Sequence, residues 1–203
     1  MAGSRDGGEG IGGAGAIGGV GRVGGSRPWR RPAAPLGMTA LLALALQLIG
    51  APLVGPDTPL GIVSLQFVAD PARAAELVAG WGASGRVVAL RHLLVDLLFP
   101  IAYASAIAAV AHLVGERGGA RDRSRLHGPA RGAARMGVAA AGLDLVENAA
   151  MLLTIGGRGG GWSTRLTVLM AVPKFALLGA AIATLVVLGA RSLAVGLRPG
   201  RAG

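Results

Sequence analysis

Four apolar stretches, each close to the length that crosses a lipid bilayer, constrain this chain more than any other feature. They are 36–54, 87–114, 133–155 and 166–188. About 20 apolar residues in a helix span a hydrocarbon core roughly 30 Å thick. Apolar residues make up 52% of the chain and its mean hydropathy is +0.59, which is too apolar for a typical soluble domain. We therefore predict an all-α membrane protein, with a four-transmembrane-helix bundle in residues 36–190.

The basic charge lies mainly between the apolar stretches. The net charge is +10, and cytoplasmic segments of membrane proteins carry the excess of Lys and Arg. The richer segments contain Arg5, Arg22, Arg27, Arg30, Arg31, Arg117, Arg121, Arg123, Arg125, Arg131, Arg135, Arg191, Arg198 and Arg201, against Arg73, Arg86, Arg158 and Arg165 in the other two loops. This asymmetry predicts cytoplasmic N- and C-termini.

The same distribution predicts the partners and the compartment. Arginines divided among loops and tails form no folded basic face for nucleic acid, so we expect them to contact anionic lipid headgroups of the bilayer. The Ala- and Gly-rich composition, in which Arg replaces almost all Lys, is typical of a GC-rich bacterial genome. We therefore predict a multi-pass protein of the bacterial inner (plasma) membrane. Homo-oligomers and membrane partner proteins stay open at this stage.

The ends of the chain differ from its centre. Residues 1–35 are rich in Gly and Arg, and such a segment buries too little apolar surface to offset its ordering entropy. We predict a disordered N-terminal tail at 1–35 and a cytoplasmic tail at 191–203. Met38 is an alternative start. The stretch 36–54 is interpreted as a retained helix, because no clear cleavage site follows it.

The loop between the first two stretches has structure of its own. Residues 62–67 are β-prone or form an extended segment on the membrane. Asp70 followed by Pro71 is a favourable helix start, because Asp caps and Pro suits the first turn. We predict a short extracytoplasmic surface helix over about 71–80, with Trp81 as an anchor at the membrane interface.

Lys174 is the only lysine of the chain and lies inside the fourth apolar stretch. A charge at that depth costs roughly 2.5–3.5 kcal/mol on insertion scales, so it needs partners. Asp96, Glu147 and Lys174 each lie about eight residues, or roughly 12 Å, from the predicted outer ends of their helices. Asp144 lies about one turn deeper. We predict that these four residues form a buried charge cluster.

Helical spacing adds supporting residues. His92 and Asp96 are four residues apart and share a face, which Tyr103 continues. Asn148 shares a face with Asp144 and Glu147 by the same spacing. These polar side chains are therefore expected to surround the cluster.

Three further residues complete the predicted surroundings. Arg91 is a second cation for the cluster, or it extends outward to the interface. With Arg91 included, the formal charges leave one negative charge in excess, so either His92 is protonated or one carboxyl keeps its proton. Pro100 and Pro173 remove backbone N–H groups beside Asp96 and Lys174, and we predict helix kinks there.

Three functions are compatible with such a cluster. The first is a structural or accessory membrane protein in which paired charges lock the bundle. The second is a small proton-coupled transporter or channel component that uses the carboxylates and the lysine. The third, an embedded enzyme, has no nucleophile motif, and no catalytic residue is predicted. No metal is predicted either, since Lys174 opposes a cation. Nor is a cofactor, since His92 and His112 lie on one helix and cannot share a haem.

Short motifs in this order resemble a family of small uncharacterised bacterial membrane proteins with four predicted transmembrane helices. They are Gly61-Ile62-Val63-Ser64-Leu65, Ala74-Ala75 with Trp81, Asp96-Leu97-Leu98-Phe99 with Tyr103, Asp144-Leu145-Val146-Glu147-Asn148, and Lys174-Phe175. The likeness covers about residues 38–190. It implies an inner-membrane protein with four spans and assigns no activity.

Overall fold

The computed structural model describes residues 30–116 and 120–196. Within them the chain forms two short 3₁₀ helices, Ala51–Leu53 and Gly61–Phe67, and α1 (Arg30–Gly50), α2 (Pro71–Gly80), α3 (Gly82–Asp96), α4 (Phe99–Glu116), α5 (Ala120–Ile155) and α6 (Gly160–Gly196). Four helical stretches are long and apolar enough to cross a membrane: Pro32–Leu53, Gly82–Glu116, Leu126–Ile155 and Gly160–Ala194. The predicted all-α, four-span architecture is thus confirmed.

The helices extend further than the apolar stretches. α1 begins at Arg30, so residues 30–35 are helical and do not belong to a tail, whereas 1–29 lie outside the described residues. α5 begins at Ala120, within the predicted middle linker, and α6 continues to Gly196. Ala and Arg both favour helix, so the helices continue beyond the apolar stretches of the sequence.

Apolar side chains on the outside of the bundle are consistent with a membrane protein. Leu41, Leu44 and Leu48 of α1 are 61%, 57% and 68% exposed, and Leu169 of α6 is 64% exposed. Contiguous apolar surface of this kind is rare on soluble monomers. These faces have no protein neighbour among the described residues and suit the hydrocarbon of a bilayer.

The second span is two helices. α3 ends at Asp96 and α4 begins at Phe99, with Leu97 and Leu98 between them. Pro100 stands in the first turn of α4, where its missing N–H leaves no hydrogen bond unmade. Pro173 lies inside α6, which is unbroken around it. Asp96, the last residue of α3, is buried.

Residues 62–67 are neither a strand nor extended, because Gly61–Phe67 is a 3₁₀ helix. Ile62 and Leu65 are buried, and their spacing of three suits a helix with three residues per turn. The predicted helix over 71–80 is α2, and Asp70 caps it by accepting a hydrogen bond from the Ala72 N–H at 3.0 Å. Packing against the bundle thus overrides the β propensity of 62–67.

α2 and the α5–α6 loop lie at the same end of the bundle, here called the α2 end. A Cβ placed on Gly161 would lie 3.0 Å from Pro71 Cγ. Trp81 is half-buried there, and its Nε1–H donates to the Leu53 carbonyl at 3.2 Å. Arg73 pairs with Asp57 and Glu76, and these hydrogen bonds raise the pKa of its guanidinium.

Two apolar cores are separated by a polar layer. The core at the α2 end includes Leu93 of α3 and Met151 of α5. The other core joins α4, α5 and α6 and includes Ile107 and Ala181. Along α5, Asp144 and Glu147 come between residues of the two cores, with Ala141 before them and Met151 after them.

Candidate functional site

The centre of the polar layer is an ion-pair cluster formed by Lys174, Asp144 and Glu147. Lys174 Nζ on α6 lies 3.0 Å from Asp144 Oδ1 and 2.8 Å from Glu147 Oε2. Asp144 and Glu147 are three residues apart on α5 and therefore point to the same side of it. Lys174 is 4% exposed, Asp144 is 5% exposed and Glu147 is 0% exposed. A single ammonium thus holds two buried carboxylates.

The two carboxylates of the ion-pair cluster differ in how well they are satisfied. Asp144 accepts a hydrogen bond from Lys174 at Oδ1 and another from the Tyr103 hydroxyl at Oδ2, at 3.0 and 3.2 Å. Glu147 has the short ionic contact, but among the described residues neither of its oxygens has an aligned hydrogen-bond donor. Asp144 therefore links α4, α5 and α6, whereas Glu147 links only α5 and α6.

Asp96 belongs to the polar layer but lies outside the ion-pair cluster. It is 9% exposed and faces Asp144 and Asn148 of α5. Among the described residues no Lys or Arg comes within ion-pair distance of Asp96. Asn148 is fully buried, and neither atom of its amide has a partner in the described part of the chain. Asp96 thus brings a third carboxylate to the layer without a cation of its own.

His92 lies one turn before Asp96 on α3 and packs against α1. A Cβ on Gly50 would lie 3.0 Å from His92 Nδ1, so α1 approaches the imidazole closely because residue 50 is glycine. His92 is buried, and Nδ1 has no hydrogen-bond partner among the described residues. His92 Nδ1 is therefore, like the Asn148 amide, a buried polar atom without a partner in the described part of the chain.

A cavity of about 240 Å³ adjoins the polar layer. Its polar wall is formed by Gln47, Gln66, His92, Asp96, Tyr103, Asp144 and Lys174. Its apolar wall includes Ala43, Leu46, Ile62, Phe99, Phe175 and Leu178. Glu147 and Asn148 do not line it. The cavity thus reaches Asp96 and one side of the ion-pair cluster, while Glu147 stays enclosed behind it.

Two predicted residues lie away from the cluster. The Arg91 side chain is exposed and, in the described part of the chain, makes no ion pair with Asp96, Asp144 or Glu147. Arg91 shares a surface hollow with Ile49 and Val88 instead, which corresponds to the outward alternative. Trp81 lies at the α2 end. The formal negative excess of the layer is therefore two charges, since Arg91 does not reduce it.

Sequence analysis missed Gln66 and Gly50. Gln66 is 4% exposed, and its Oε1 has no partner among the described residues. A glutamine inside an apolar segment was the available signal, but the strand-like pattern of 62–67 hid its position. Gly50 ends an apolar helix, where glycine ordinarily indicates only a helix end.

The chemistry of the site is that of charge, hydrogen bonding and proton exchange. Among the described residues no three His, Asp or Glu side chains form a metal-binding group. The hydroxyls of Ser105 and Thr184 donate to the carbonyls of Ile101 and Ala180, so neither is paired with a base. Carboxylates beside a cavity can bind a cation or exchange protons.

Comparisons with known proteins give no relative for this site. No protein-family model, no curated protein and no solved structure matches the chain.

Proposed function

We propose that this protein is a multi-pass protein of the bacterial inner membrane in which the ion-pair cluster locks the helix bundle. The supporting observation is that Lys174 Nζ lies within 3.0 Å of carboxylate oxygens of both Asp144 and Glu147, with all three side chains buried. Removing one member of a buried ion pair leaves an uncompensated charge, which costs about 3–5 kcal/mol. The role is that of a structural or accessory membrane protein.

The lock is tested with Lys174→Met in lipid nanodiscs. We expect a large loss of thermal stability relative to wild type, because two buried carboxylates lose their cation. The triple variant Lys174→Met, Asp144→Asn, Glu147→Gln should recover much of the loss, since no unpaired charge remains. Arg165→Met, which removes an exposed cation of α6, is the matched control. An unchanged stability of the Lys174→Met protein would refute the lock.

The orientation is a separate part of the proposal. Both termini are cytoplasmic and the α2 end faces outward, because the arginine-rich segments lie at the other end. The chain contains no cysteine, so single cysteines report without background. Arg158→Cys should react with a membrane-impermeant maleimide in intact cells, and Glu116→Cys only after permeabilisation. The reverse pattern would invert the topology.

A second candidate is a small proton-coupled transporter or channel component. The observation in its favour is that the cavity is lined by Asp96, a buried carboxyl group that has no ion pair within the described residues. Purified protein in liposomes should then carry protons or exchange them for a solute, and Asp96→Asn should abolish the flux. Flux that is unchanged in Asp96→Asn would remove this candidate. An embedded enzyme has the least support, since Ser105 and Thr184 are not activated.

A further inference from the structure

The inner end of the cavity presents hydrogen-bond acceptors that the described residues leave unused. Gln66, His92 and Asp96 all line it and are all at least nine-tenths buried. Gln66 Oε1 and His92 Nδ1 have no hydrogen-bond partner in the described part of the chain, and Asp96 has no ion pair there. A buried polar group left unsatisfied costs about 1–3 kcal/mol. Acceptors from the 3₁₀ helix and from α3 therefore converge on a cavity whose donors Lys174 and Tyr103 are engaged with Asp144.

The charge of the polar layer specifies what kind of donor fits. Asp96, Asp144 and Glu147 face a single ammonium, that of Lys174. Lys174 is already engaged with Asp144 and Glu147, which leaves Asp96 as the carboxyl group on the cavity wall that has no cation among the described residues. A cationic N–H donor would supply charge and hydrogen bonds together, and charge-assisted bonds of this kind are about twice as strong as neutral ones. An anion would meet an excess of negative charge.

The rest of the cavity is apolar and opens sideways. α1 packs on α3 and α4, whereas α6 packs on α5 and the 3₁₀ helix Gly61–Phe67. The cavity lies between α1 and α6, which have little contact with each other. Its lining residues on this side include exposed Gln47 of α1 and Phe175 of α6. Phe67 stacks on Phe175 at 5.8 Å between ring centroids and borders the gap. Because α1 and α6 each contain a candidate membrane span, a gap between them borders the bilayer once the bundle is inserted.

We propose that this cavity binds the protonated amine headgroup of an amphiphile whose apolar chain extends into the bilayer between α1 and α6. Asp96 is the counter-ion, and Gln66 and His92 accept further hydrogen bonds from the ammonium. Leu46, Phe99 and Leu178 enclose the first carbons of the chain. Lys174 and Asp144 of the ion-pair cluster form part of the cavity wall, and the two carboxylates offset the charge of the ammonium. The proposed counter-ion, Asp96, lies outside the cluster, so its replacement tests the site separately from the lock.

Binding is measured with radiolabelled dodecylamine on purified full-length protein in phosphatidylcholine nanodiscs, with empty nanodiscs subtracted. We expect saturable binding that unlabelled dodecylamine displaces and that dodecanol and dodecanoate do not. Asp96→Asn should weaken binding roughly tenfold or more. Ala43→Leu should also weaken it, because the larger side chain fills the cavity without changing its charge. Glu116→Gln, an exposed carboxylate on α4, is the matched control and should bind like wild type.

Several results would overturn the proposal. They are the absence of saturable binding, displacement by dodecanol as effective as by dodecylamine, or undiminished binding in Asp96→Asn. Size-exclusion profiles and thermal stability confirm that each variant is folded, and Ala43→Leu tests the cavity independently of charge. The two sources of an amine are then distinguished by lipid. If phosphatidylethanolamine in the nanodisc displaces dodecylamine, the occupant is a bilayer phospholipid. If it does not, the occupant is a single-chain amine.

Discussion

The α5–α6 interface and the α1 side of the bundle treat their buried polar groups in opposite ways. At the α5–α6 interface, Lys174 is matched to Asp144 and Glu147 at 3.0 Å or less. On the α1 side, Gln66, His92 and Asp96 line a cavity. Among the described residues, Gln66 Oε1 and His92 Nδ1 have no hydrogen-bond partner and Asp96 has no ion pair. In the most apolar part of α1, 11% of the residues are buried, against 44% in α5. The α5–α6 interface is thus held by paired charges, whereas the α1 side adjoins a cavity.

Burial alone therefore does not define the role of an intramembrane carboxylate. Glu147 and Asp96 are both buried, at 0% and 9% exposure. Glu147 lies against a cation on a neighbouring helix and is closed off from the cavity. Asp96 is the last residue of α3 and lines the cavity. The partner and the adjoining volume, rather than depth, separate a structural charge from a binding one.

Neutralising Glu147 and Asp96 in turn is the most direct test of the difference between the two carboxylates. Glu147→Gln should lower the free energy of unfolding by about 1.5–3 kcal/mol, since it removes a charge-assisted contact with Lys174. Asp96→Asn should leave it unchanged or raise it, because an unpaired buried charge disappears. Chemical denaturation of both variants in mixed micelles measures this. Equal losses would mean that Asp96 is as structural as Glu147.

A second test concerns the close packing of α5 against α4. A Cβ on Gly137 of α5 would lie 2.9 Å from Ile107 Cγ2 of α4, so Gly137→Ala should destabilise by about 1–3 kcal/mol through overpacking. Gly142→Ala on the same helix is the control, because nothing lies within 4 Å of its Cβ position. It should stabilise by about 0.5–1 kcal/mol, as Ala does over Gly inside a helix. Thermal denaturation of the pair shows whether the contact between α4 and α5 is as tight as the distances indicate.

The α5–α6 interface could be predicted from the sequence better than the α1 side of the bundle, for physical reasons. Lys174 in an apolar helix requires carboxylates, and residue spacing along straight helices brings Glu147 to its level. The position of Gln66 depends on tertiary packing that turns a β-prone segment into a 3₁₀ helix. Arg91 had two orientations open, because a helix that is apolar on most sides does not reveal its rotation about its own axis.

Gly50 and the break at Leu97 and Leu98 illustrate the same limit. Nothing local distinguishes a glycine that admits the His92 ring from a glycine that ends a helix. Pro100 predicted a disturbance near Asp96 but not a complete helix end, since proline is also accommodated within an unbroken helix, as Pro173 is in α6. Cavities arise where packing is incomplete, and a pattern of residue types specifies contacts more readily than their absence.

The smallest expected effect concerns Tyr103, which lies between the two sides. It lines the cavity, and its hydroxyl donates a hydrogen bond to Asp144 at 3.2 Å. Tyr103→Phe keeps the ring and its edge contact with Phe99 but removes the hydroxyl. The unfolding free energy should fall by about 0.5–1.5 kcal/mol, in the range of hydrogen bonds inside membrane proteins. A double-mutant cycle with Asp144→Asn isolates the pair. A coupling energy near zero would mean that Tyr103 only lines the cavity, whereas a coupling energy of the predicted size would mean that its hydroxyl also stabilises the ion-pair cluster.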